Sequence, residues 1–111
     1  MAKAACADGS SVHTGTTVVG PVEGSVLPGS NGFCFILGAQ IMVQDGTMEI
    51  PNHQYQVTPP LFHSHSFSPT VFQQSFVTVQ GLKMCLVGDS HSADPTEVDS
   101  AGSNGFVEVT L

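Results

Sequence analysis

The chain has no arginine and only two lysines, Lys3 and Lys83, against nine acids, which leaves a net charge of −7. A chain so poor in cations cannot neutralise phosphates, so a nucleic-acid partner is not expected. The same deficit argues against docking on anionic lipid. Long apolar runs are missing too: none approaches the roughly 18–20 residues that span a bilayer, so stable membrane insertion is not expected. The opening stretch "MAKAACADG" lacks the apolar core of a secretory signal, and synthesis in the cytoplasm is the expectation. Cys6, Cys34 and Cys85 are odd in number and contain no CxxC pair, which excludes a disulfide framework and a zinc ribbon. Reduced, buried thiols packing as small hydrophobes are expected instead. Charged residues are only 10% of the chain, so its surface must be built from Ser, Thr, Gln, Asn and Gly. Such surfaces suit proteins that work outside cells or within large assemblies.

Helical periodicity is also absent, and 12 Gly with 7 Pro leave little room for it. Short β-prone runs are plentiful. "FCFIL" (33–37) and "QIMV" (40–43) flank Gly38–Ala39, and "SFVTVQ" (75–80) and "KMCLV" (83–87) flank Gly81–Leu82. Each pair reads as a tight hairpin. "FVEVTL" (106–111), "TTVV" (16–19) and "TVF" (70–72) are further candidate strands. Residues 1–111 therefore read as one small all-β domain. The stretch from Gly46 to Pro69 has four prolines and little periodicity, and reads as a long functional or disordered loop.

The pentapeptide "GSNGF" occurs at Gly29–Phe33 and again at Gly102–Phe106. "CFILG" follows Phe33, "VTVQG" follows Phe76 and "VEVTL" follows Phe106. The first two copies continue to an Asp–Gly or Gly–Asp pair, while the third stops at the C-terminus. Its second half, "KAACADG", stands at residues 3–9. The pattern predicts three units with pseudo-threefold symmetry, the third split between termini whose strands pair and close the domain. A histidine follows each turn pair: His13 after Gly9, His53 after Gly46, His91 after Asp89. Three such loops would bring imidazoles toward one axis, and His63 and His65 add two from the long central stretch. Alternate residues of an extended segment face one side, so "HSH" (63–65) can offer both rings to one metal. A metal that joins loops would supply folding free energy that a small apex cannot gain from apolar burial.

"GSNGFCFILGAQIMVQDG" and "SPTVFQQSFVTVQGLKMCLVGDS" resemble the repeat of PAAR proteins. The resemblance covers nearly the whole chain, although the Pro-Ala-Ala-Arg tetrapeptide is replaced by "KAAC", "QIMV" and "KMCL". It implies a small conical domain that sits as one copy on a trimeric β-helical spike, at the tip of a phage tail or contractile injection particle such as a type VI secretion machine. There it would cap and sharpen the spike for envelope penetration, with exposed apolar residues on the hairpin base matched to the trimer's end. Carriage of a fused or bound effector is a lesser role. It also implies one structural metal ion, zinc first and iron as the alternative. "DGSSVHTG" points to His13, "PPLFH" to His63 and "GDSHS" to His91, with His53 or else His65 completing the shell. On this reading the protein is not an enzyme. The rival is a small cupin-like β-barrel metalloenzyme using His63 and His65, although no acid follows the pair as such motifs require.

Overall fold

A computed structural model describes residues 2–7, 10–14, 22–30, 32, 34–91, 96–101 and 107–110, without the side chains of Ala2, Ser11, His13 and Thr14. These residues form strands and turns only: β1 (Ala2–Ala4), β2 (Ser11–Thr14), β3 (Val22–Leu27), β4 (Phe35–Ile36), β5 (Ala39–Gln40), β6 (Thr47–Gln56), β7 (Leu61–Phe67), β8 (Thr78–Val79), β9 (Leu82–Lys83), β10 (Ser90–His91), β11 (Thr96–Ser100) and β12 (Glu108–Thr110). The chain is all-β, in small antiparallel sheets, as its composition predicts.

Three chain segments form a ring at the centre. Cys6 N–H donates to the Cys85 carbonyl, Cys85 N–H to Met42, and Met42 N–H to Cys6, each at 3.0 Å. Bridges Ala5↔Leu86, Ala7↔Ile41 and Val43↔Met84 complete the cycle. An equivalent turn leaves each segment: Ser10 N–H to Ala7, Gly46 N–H to Val43 and Asp89 N–H to Leu86, at 2.9, 2.8 and 3.0 Å. Each segment is also entered alike, through Ile41 N–H to Cys34, Met84 N–H to Val77 and Ala5 N–H to Val107. The hydrogen bonding thus repeats three times.

Two units approach the ring through the hairpins β4–β5 and β8–β9, and the third through the pair β1–β12, formed by the two ends of the chain. The hairpin turns are Leu37–Gly38 and Gln80–Gly81, one residue earlier than the spacing suggests, and all four residues have positive φ. That is the backbone of a type I′ turn, whose twist matches the strands it joins. The first "GSNGF" copy begins beside the first unit's turn, where Ser30 donates its N–H to Asp45 at 3.0 Å and its hydroxyl to the same carboxylate. The second copy (102–106) and the run "TTVV" lie outside the described residues.

Strand alternation divides the core at the ring. Ala5, Ala7, Ile41, Met84 and Leu86 pack against Ile36 of a hairpin and Val109 of the terminal pair. Cys6, Met42 and Cys85, one from each segment and fully buried, instead join Val12, Val26, Met48, Ile50 and Val98. This second group lines a six-stranded antiparallel sheet ordered β10-β11-β2-β3-β6-β7. The sheet curls until the chain just beyond β7 reaches β10: Val71 and Ser90 exchange backbone hydrogen bonds of 3.0 and 3.1 Å. The result is a short barrel with the ring as its floor. Gly24 is needed in its wall, because a Cβ there would stand 2.0 Å from the Glu49 carbonyl oxygen.

The stretch from Gly46 to Pro69, expected as a loop, is largely the hairpin β6–β7. Its periodicity is hidden by two bulges. Ile50 faces His65 and His53 faces His63, so β6 spends one residue more than β7 around Pro51–Asn52. A second irregularity lies between Gln54 and Gln56. Proline lacks a ladder donor and is tolerated in strands at such bulges.

Candidate metal centre

The first bulge determines which face of β6 carries His53. Met48 and Ile50 point into the barrel, and the extra residue shifts the parity so that His53 is buried on the same side. On β7 the alternation is unbroken, and His63, His65 and Phe67 share the half-buried face. The register sets Met48 opposite Phe67, Ile50 opposite His65 and His53 opposite His63. Three histidines therefore stand on one inward face, next to the apolar lining.

One ring nitrogen from each of His53, His63 and His65 lies within 4.8 Å of the others. The rings meet edge-on, with interplanar angles of 80°, 82° and 84° and centroids 4.6 to 5.4 Å apart. His53 Nδ1 is 2.9 Å from the Pro51 carbonyl oxygen. A carbonyl can only accept, so Nδ1 carries the proton and Nε2 turns its lone pair toward the group. A backbone carbonyl fixing a ligand's tautomer is the usual outer support of a metal-bound imidazole. His63 Nε2 lies 3.0 Å from His53 Nε2, where it donates a proton in the metal-free state. Two imidazole nitrogens on a tetrahedral zinc would be about 3.3 Å apart, from Zn–N bonds of about 2.0–2.1 Å. The pair is thus close to ligating distance, and metal would take the place of the shared proton. The cluster can hold a metal ion, and imidazole donors suit zinc, iron, copper or nickel.

Neighbouring rings hold the cluster in place. Tyr55 stacks on His63 at 4.2 Å and 15°, and Phe67 stacks on His65 at 4.5 Å and 30°. His91, from β10, stacks on the other side of Phe67 at 4.4 Å and 10°, so a phenyl ring separates it from His65. His13 lies in β2, paired with Glu97 on one side and Glu23 on the other, and its side chain is outside the described set. Of the four histidines whose side chains are described, the structure brings together His53, His63 and His65, all from one hairpin. The alternation in "HSH" already pointed to the shared face of two of them. The bulge that adds His53 had a trace in Pro51, and the part played by Tyr55, Phe67 and the Pro51 carbonyl had none.

The thiols stand apart from this group. Burial, then the neighbouring Cys85 and Asp89, pushes the Cys6 thiol well above its ordinary range, and burial does the same to Cys85. Both stay protonated at neutral pH, which suits packing at the barrel floor better than ligation. Asp89, also fully buried, accepts N–H bonds from Leu86 at 2.9 Å and Gln73 at 2.8 Å. Burial nevertheless holds its carboxyl above the ordinary aspartate value.

No protein-family profile, curated protein or solved structure matches the chain.

Proposed function

We propose that this domain is a metal-binding cap for the end of a trimeric β-helical spike, the role that its resemblance to PAAR proteins implies. The observation that carries the reading is the threefold backbone cycle through Cys6, Met42 and Cys85. One chain that repeats its backbone three times can meet all three chains of a trimer in equivalent ways. The hairpin side of the ring supplies an apolar surface for that contact. Leu37 is 74% exposed, Phe76 67% and Phe35 54%, with Val107 beside β12 at 37%. Exposed apolar groups on a face of matching symmetry are what a cap needs to cover the open strand edges of a spike. The metal at His53, His63 and His65 ties the strands of the longest hairpin on the other side of the ring.

Co-expression with a trimeric β-helical spike fragment tests the reading. One copy per trimer is expected, and Leu37→Asp with Phe76→Asp should abolish the complex while leaving the monomer folded. A wild-type monomer with no affinity for the fragment would remove the proposal.

A small β-barrel metalloenzyme is the second reading, favoured by one feature. Among the described residues three protein donors gather at the cluster, which would leave the fourth position of a tetrahedral zinc to another ligand. Three nitrogen ligands with an accessible fourth position is the usual arrangement of catalytic zinc. Turnover of an activated ester by the zinc-loaded protein, lost in His65→Ala, would favour it over the cap.

A further inference from the structure

The end of the β6–β7 hairpin is apolar, and nothing in the two readings above uses it. Tyr55 is 44% exposed, Val57 59%, Leu61 38% and Phe62 56%, and Pro59 and Pro60 are exposed between them. From Ile50 to Leu82 the chain contains no Asp, Glu, Lys or Arg, although the whole protein carries a net charge of −7. Leu61 and Phe62 are successive strand residues and so point to opposite faces. The tip therefore presents apolar surface on both sides. A flat or concave protein partner covers one side of such a projection, whereas a bilayer interface surrounds it. Placing a charge in lipid is costly, and this segment has none to place. Prolines restrict the turn, and the histidine cluster with its stacked Tyr55 holds the two strands just behind it.

The geometry points to a lipid bilayer as the partner of this tip: Tyr55, Val57, Leu61 and Phe62 enter the interface of an uncharged phospholipid membrane. The contact is shallow and reversible, without a spanning segment. It draws on apolar burial rather than on charge, in keeping with a chain that has almost no cations. It stands independently of whether the hairpin base docks on a spike.

Tyr55 is the single tyrosine and the chain has no tryptophan, so its emission reports the tip without labelling. The full chain, loaded with zinc, is mixed with phosphatidylcholine vesicles, plain or brominated along the acyl chains. Brominated lipid should quench the tyrosine emission, and the protein should float with the vesicles in high salt. The double variant Leu61→Asp/Phe62→Asp should weaken partitioning by roughly a hundredfold, at about tenfold per buried side chain. Val57→Asp alone should weaken it about tenfold, and both variants alter exposed residues, so unchanged zinc content will verify their fold. Absence of quenching at millimolar lipid overturns the inference. So does binding confined to anionic vesicles and reversed by salt, or equal partitioning of variant and wild type. Failure to bind a spike fragment would leave these vesicle results untouched, so the two proposals fail separately.

Discussion

Cys6, Met42 and Cys85 form a triad from three segments far apart in the chain, whereas His53, His63 and His65 form one within a single hairpin. The first is apolar, fully buried and held by a cycle of backbone hydrogen bonds. The second is polar, partly exposed and held by ring contacts and one backbone carbonyl. The contrast separates two ways to stabilise a small β domain. A symmetric ring gains from burial at the meeting point of three units, and its effect is felt by the whole fold. A local cluster lacks that apolar gain and needs a ligand to become a tie.

Breaking the ring should have the largest effect. Met42→Ala removes a fully buried side chain from the floor of the barrel and should cost about 2–5 kcal/mol in denaturant unfolding. A loss below 1 kcal/mol would mean that the ring is not the centre of the fold. The metal comes next. Zinc at a hundred times its dissociation constant should add about 2.7 kcal/mol to wild-type stability, read as a rise in Tm. His63→Ala should show almost none of that rise, while His91→Ala keeps most of it because Phe67 stands between His91 and the cluster. Equal losses in the two variants would extend the site to His91.

The smallest effect is a pH limb beside the ring. Burial raises the Asp89 carboxyl, so between the unfolded value of 3.8 and its higher folded value the native state holds the extra proton. Stability contributed here falls as pH rises through that window. Asp45 behaves in the opposite sense, since the Ser30 hydroxyl and then the Ser30 N–H lower its carboxyl. Its contribution is present above 3.8 and is lost as pH falls through the lower folded value. Asp89→Asn should remove the first limb and leave the second, as followed by thermal unfolding across acidic pH.

The symmetric half of the molecule was legible because its signals are local. Gly38 and Gly81, with apolar runs on either side, mark two hairpins, and the split repeat at residues 3–9 and 106–111 predicts the pairing of β1 with β12. The barrel was not legible. Its wall runs through segments such as "VEGSVL" and "TEVDS", which have few apolar residues and no regular apolar alternation, and one inward position is Gly24. Those strands are specified by neighbours distant in the chain. The β6–β7 hairpin was obscured in another way, since Pro51 and two bulges erase the period of two that would have revealed it.

By itself, then, the sequence determined the all-β class, the three-unit plan, its closure through the termini and the candidate histidines. Only the tertiary structure decided which histidines meet. A bulge that shifts strand parity by one residue turns His53 inward to face His63, and the barrel's closure brings Phe67 between His65 and His91. Register and parity are products of cross-strand pairing, which spacing along one chain does not contain.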